Sequence, residues 1–231
     1  MRLTLRVLSA LLRYPDEGVH GGTAELAQAL AADGLISPDQ RASLTPLFER
    51  LAASDLLDAQ EDYVVLFDRG RAVSLHLFEH VHGESRDRGQ AMVDLRDRYE
   101  AQGLEITARE LPDYLPLFLE YLSILPPEQA LEELAQPGVI LSALAERLEE
   151  KGTPYAAPLR ILADLAGAGG EAFEIAPADD PDNLAQLDAA WEEEQVRFDA
   201  PLAPGTADCP QVTAMVDRML SQEPVRSPIH G

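Results

Sequence analysis

Apolar residues recur along this chain at three- and four-residue intervals, and that spacing predicts helices almost throughout. Leu3, Val7, Leu8, Leu11 and Leu12 mark one apolar face, and Tyr14-Pro15-Asp16 ends the run. Two further amphipathic helices are predicted over 22–33 and 38–53, the second opened by Ser37 as N-cap and Pro38 at the first helical position. A fourth runs from Leu57 or Asp58 to Phe67, with Asp68-Arg69-Gly70 as its exit. The next is predicted over 72–82. On its wheel Val73, Leu77, Phe78 and Val81 share one side, while His76, Glu79 and His80 share the other.

Gly83 then reads as a C-cap and Ser85 as the next N-cap, with Asp87 in the first turn. Met92, Leu95 and Tyr99 form the buried stripe of that helix, and Gly103 ends it. The most apolar stretch is 111–122, where Pro116 either starts the regular helix or kinks it. Helices follow over 127–135, 138–150 and 155–167. Period-2 alternation and Asn-Gly or Asp-Gly hairpin signals are both missing, so the expected class is all-α.

Composition changes after Gly167. Residues 171–200 carry ten acids and one arginine, Arg197, with one helix expected near 183–197 around the single tryptophan, Trp191. Beyond it Pro, Gly and Ala dominate apart from a helical pattern at 211–221. The expected organisation is a helical domain over 1–167, an acidic segment over 168–198 and a mostly disordered tail over 199–231.

The net charge is −23, with 46% hydrophobic residues, enough for a real core. That charge opposes nucleic-acid binding, which needs cations to neutralise phosphates, and opposes adhesion to an anionic membrane. It suits a basic partner. Lys151 is the only lysine, so positive groups are nearly all planar, bidentate arginines. Cys209 is the only cysteine, which excludes an internal disulfide and a thiolate zinc cluster. The opening residues are too few and too charged for a secretory signal, and no stretch is long and apolar enough to span a bilayer. A cytoplasmic protein without membrane insertion is expected.

Charge is arranged differently within 63–98. Six acids (Asp68, Glu79, Glu84, Asp87, Asp94, Asp97) balance six arginines there, so the block is neutral inside an acidic chain. Such a block suggests a site or an interface. His76-Leu77-Phe78-Glu79-His80 matches the H-x-x-E-H pattern of inverted zinc proteases, in which two histidines on one helix face hold zinc and the glutamate serves as base. No third ligand is identified, and a helix with a polar face produces the same five residues. Asp68-Arg69-Gly70-Arg71 and the loop from Gly83 to Arg88 read either as caps and surface ion pairs or as two charged loops fixed by arginine–carboxylate forks. A straight helix between them would hold the loops apart.

These residues also resemble a known family. Leu66-Phe67-Asp68-Arg69-Gly70-Arg71, Ser74-Leu75 and the run from Leu77 to Leu95, including His80-Val81-His82-Gly83-Glu84-Ser85-Arg86-Asp87-Arg88, closely resemble the NarJ family. Glu110-Leu111-Pro112-Asp113-Tyr114-Leu115-Pro116-Leu117 with Glu120-Tyr121-Leu122 is similar to a second block, and Trp191 to Phe198 to a third. Leu11-Leu12-Arg13-Tyr14-Pro15-Asp16 resembles the family's opening helix. His76 is not a family feature, which weakens the zinc reading.

The resemblance implies an all-helical fold of the TorD/NarJ type and a cytoplasmic chaperone rather than an enzyme. It implies binding to the catalytic subunit of respiratory nitrate reductase, at an N-terminal peptide resembling a twin-arginine signal. Molybdenum cofactor is handled indirectly, the chaperone holding no cofactor or metal of its own, and cofactor delivery proteins are further candidate partners. In this reading Tyr63, Phe67, Phe78, Tyr114 and Phe118 line a peptide groove, and Asp68, Glu79, Glu84, Asp87, Glu110 and Asp113 meet cationic groups. Arg69, Arg71, His80, His82 and Arg88 complete the candidate binding set. His80 is expected opposite the apolar stripe, where it has no core role.

Overall fold

A computed structural model describes residues 1–81, 86–106 and 110–167, the side chains of Arg86 and Asp87 excepted. The acidic segment, the tail, Trp191 and Cys209 therefore lie outside the described residues, as do His82 and Glu84. Eleven α-helices are formed among those described, with no strand. They are α1 (Arg2–Leu12), α2 (Glu17–Gly21), α3 (Thr23–Asp33), α4 (Pro38–Ser43), α5 (Thr45–Ala53), α6 (Leu56–Phe67), α7 (Arg86–Ala101), α8 (Leu115–Ile124), α9 (Pro127–Ala135), α10 (Gly138–Glu150) and α11 (Ala156–Ala166). None is long and apolar enough to cross a membrane.

The core is organised on α8. It buries Leu115, Phe118, Leu119, Tyr121, Leu122 and Ser123, which point around most of its circumference. A helix that is apolar on nearly every side belongs in the interior. Pro116 sits in its first turn, where no donor is needed, so it starts the helix and does not kink it. α1 packs along α8 through Leu5, Leu8, Leu11 and Leu12. Ser9 Oγ donates to the Pro116 carbonyl at 2.8 Å across that contact. α10 and α11 pair, and α11 also meets α9 and α1, so one cluster of buried side chains runs from Leu5 to Ala166.

Three differences from the periodic reading have local causes. α2 is five residues long, too short for periodicity to reveal, and Asp16 is its cap, accepting Val19 N–H at 2.8 Å. The helix expected over 38–53 is two helices separated at Leu44. Pro46 has no N–H to give the Ala42 carbonyl, so the ladder breaks there. The start is as expected: Ser37 and Gln40 form a reciprocal capping box.

The third difference matters most. The described residues of the 72–82 stretch, 72–81, are not an α-helix. Two 3₁₀ turns, Arg71–Val73 and Leu77–His80, are separated by an extended link that forms an antiparallel bridge, His76 to Tyr114. Its amides are committed elsewhere. Leu77 N–H donates to the Asp113 carbonyl at 3.1 Å, and Leu115 N–H to the Leu75 carbonyl at 2.8 Å. His76 N–H donates to Ser74 Oγ at 3.2 Å. Partners some 35 residues away thus compete successfully with the local helical ladder.

Candidate functional site

The bridge at His76 places residues 75–78 against the entry of α8. The floor of the site is buried and polar. Asp113 is fully buried, accepting Phe78 N–H on Oδ2 at 3.1 Å and facing His76 Nδ1 with Oδ1 at 3.3 Å. His80 is 3% exposed, its Nε2 lying 2.8 Å from the Ser74 carbonyl. Arg147 of α10 donates to the Ala72 carbonyl at 2.7 Å and so clamps the first turn from behind. Tyr99 Oη donates to the Pro112 carbonyl at 2.8 Å and fixes the loop that carries Asp113.

These placements correct several expectations. Phe78 and Phe118 belong to the core and line no groove. Tyr63 and Phe67 are buried too, forming an aromatic layer with Tyr155. Asp113 holds backbone instead of an external cation. His80 lies inside, not opposite the apolar stripe. The zinc geometry fails with the helix: His76 and His80 do not share a helical face, and each ring is engaged with a different partner. Among the described residues no three His, Cys, Asp or Glu side chains converge as metal ligands.

The rim is what faces outward. Asp68, Arg69, Arg71 and Glu110 are exposed, while His76, Glu79, Arg88 and Tyr114 are half-buried. Tyr114 connects rim to floor: its hydroxyl lies 3.0 Å from that of Tyr63, which donates to the Leu12 carbonyl at 2.9 Å. Burial raises the Tyr114 hydroxyl pKa against the hydrogen bond with Tyr63; the charges of Glu110 and Asp68 add to the rise and that of Arg13 opposes it. Glu79 faces Arg88 at 3.7 Å, which brings the start of α7 to the second turn. Asp87 lies in α7.

The two histidines are opposed electrostatically. The hydrogen bond to Asp113 raises the His76 pKa against the effect of burial, with the charges of Asp113, Glu79 and Glu110 assisting. Burial lowers that of His80 despite the Ser74 carbonyl, and the nearby Arg147 charge acts in the same direction.

The structure adds residues that the sequence reading missed. Tyr14 is exposed and stands edge-on to Tyr63, with ring centroids 5.7 Å apart. Leu111 is exposed beside Glu110. On α6, Leu57 is 78% exposed, Val64 40% and Val65 43%. With Glu61 and Asp68 they share one helix face at spacings of four, seven, eight and eleven residues. The signal was present as apolar residues on the wrong side of the α6 wheel, but periodicity alone does not tell which of two apolar stripes is buried.

This arrangement of helices is known elsewhere. A protein from Archaeoglobus fulgidus described as a redox enzyme maturation protein superposes with a TM-score of 0.50 at 22% identity, over 71% of this chain and 92% of that one. The chain thus shares the all-helical fold of that protein. Residues 15–160 match the family model described as nitrate reductase delta subunit. The chain is 46% identical over 200 residues, 85% of each protein, to the nitrate reductase molybdenum cofactor assembly chaperone NarJ of Escherichia coli K12. It is 44% identical over 198 residues to that strain's probable chaperone NarW, covering 84% of this chain and 83% of that one. It belongs to the NarJ family of nitrate reductase molybdenum cofactor assembly chaperones.

Proposed function

We propose that this protein is a non-enzymatic chaperone that binds an N-terminal peptide of a nitrate reductase catalytic subunit while molybdenum cofactor is inserted. Cofactor is supplied by separate delivery proteins, and the chaperone holds it only indirectly, through its client. The unit that does this is the helical domain over 1–167.

The observation that carries this reading is the exposed face of α6. A surface helix normally turns charge outward. Here Leu57, Val64 and Val65 face solvent, interleaved with Glu61 and Asp68. Tyr14 and Tyr114 continue the surface with Glu110 and Leu111. Apolar contacts ringed by acids suit an amphipathic cationic helix, which would bury its apolar side and place its arginines against the carboxylates. The buried floor of Tyr63, Phe67, Phe78, Phe118, Asp113 and His80 then keeps the rim rigid.

Titration calorimetry with a peptide of the first ~15 residues of the catalytic subunit, a few helical turns, tests the reading. Binding that weakens as salt rises is expected, because an acidic surface meets a cationic segment. Absence of heat with the peptide, beside heat with the intact subunit, would move the site off this surface.

A further inference from the structure

Between α1 and α8 lies a cleft of a different character. Arg2 and Arg6 of α1, with Arg13 at its C-cap, line a cavity of about 430 Å³. Glu120, Ser123 and Ile124 of α8, with Leu104, form its other wall. A second hollow of about 350 Å³ continues from it past Arg2, Ser123 and Ile124 towards Pro126 and Pro127. Of the three arginines, Arg13 alone has a carboxylate in reach among the described residues, Glu120 at 3.4 Å. Three exposed arginines lining one cavity are unexpected in a chain with eighteen cationic residues against forty-one acids.

We infer that this cleft is the docking site of the chain's own acidic segment around Asp188–Asp199. Charge complementarity is the first reason: residues 171–200 hold ten acids and one arginine. Spacing is the second. Asp188 and Glu192 repeat the four-residue interval of Arg2 and Arg6, and Asp199 follows Glu192 by the seven residues that separate Arg13 from Arg6, so the acidic and basic series match in order. Trp191 stands next to Glu192 in the sequence, and the cleft offers an indole the apolar wall of Leu104 and the exposed Ile124. Length is the third. The residues between Gly167 and Asp188 span up to ~70 Å when extended, against a body on the order of 40 Å across. Finally, the match to the Escherichia coli NarJ spans 85% of this chain and cannot stop short of Trp191, so this segment lies within the family resemblance.

The consequence is a strap held by charge. It would carry Asp199 to Arg13, the neighbour of Tyr14, so the strap ends next to the rim described above. Its docking does not depend on what the rim binds.

Trp191 is the only tryptophan, so its fluorescence in the full chain reports the strap directly. The native protein should show blue-shifted emission and weak acrylamide quenching, both shifting to solvent-like values as salt rises. The triple variant Arg2→Glu, Arg6→Glu, Arg13→Glu should shift them at low salt. These side chains are exposed, and circular dichroism checks that the body is intact. The converse variant, Asp188→Arg, Glu192→Arg, Asp199→Arg, leaves the helical body untouched and should give the same shift; combining both sets should restore the native signal. Solvent-like emission from the native protein, or emission unchanged in both triple variants, would overturn the inference. Emission that shifts on dilution would assign the cleft to a second chain and overturn it equally.

Discussion

Asp113 Oδ2 accepts the N–H of Phe78 at 3.1 Å, and the carboxylate that does so is wholly buried. One bond therefore ties the second 3₁₀ turn to the entry of α8, between residues 35 apart in sequence. The same side chain meets His76, so removing it leaves a buried amide unpaired and an imidazole without its anion. Asp113→Ala should cost about 3 kcal/mol, the loss of a charge-assisted bond together with an unsatisfied donor. For a chain of this size that is roughly 6–12 °C in melting temperature. A melting curve within a degree or two of the native protein would show that the turn is held by other contacts.

The paired histidines predict opposite pH slopes. His80 has a lowered folded pKa, so below its ordinary value near 6.5 the unfolded chain takes up a proton that the folded chain refuses. Its contribution is complete above about 6.5 and is lost as pH falls towards the folded value. His76 has a raised folded pKa. Its stabilisation is complete below about 6.5 and is lost as pH rises through the folded value. Thermal melts from pH 5 to 8 on His80→Gln and His76→Gln separate them. The first should flatten the acid limb and the second the alkaline limb; unchanged limbs in both would refute the assignment.

His80→Ala, from the structure, is a stability variant. It empties a buried site and leaves the Ser74 carbonyl without its partner, a loss of about 1–3 kcal/mol. Arg88→Ala is different. It removes a half-buried ion pair with Glu79 at 3.7 Å, and such pairs contribute up to about 1 kcal/mol. Arg88→Ala should melt near the native temperature yet restore less nitrate reductase activity in a strain lacking its own chaperone. Full activity with normal melting would remove Arg88 from the binding set.

On the α6 face, Val64→Arg replaces an exposed apolar contact by a cation. Stability should change by no more than about 0.5 kcal/mol, as for surface substitutions generally. Affinity for the client peptide should fall tenfold or more, about 1.4 kcal/mol, through lost contact and like-charge repulsion. Equal calorimetric affinity for the variant and native proteins would place the peptide away from α6.

The helices whose stripes were plain in the sequence are those whose backbone bonds are local. α9 and α10 begin and end at the residues that periodicity predicted, and the termini of α7 and α10 are followed by Gly103 and Gly152, both in left-handed conformation. Such elements need only an apolar face and an end signal, and both are written in adjacent residues. The four apolar residues marked for burial between 72 and 82 are indeed buried, since hydrophobicity survives a change of backbone.

Tertiary structure decided what local pattern leaves open. The amides of 76–78 find Ser74 Oγ and distant Asp113, so a segment with helical spacing becomes two turns and a bridge. That one exchange buries His80, dissolves the apparent metal motif and turns Asp113 from a surface acid into a structural one. It also settles which side of α6 is covered, because Tyr63 and Phe67 pack inward while Val64 and Val65 remain outside. A sequence states which residues avoid water. Which polar groups follow them inside depends on hydrogen-bond partners far along the chain, and those partners exist only once the chain has folded.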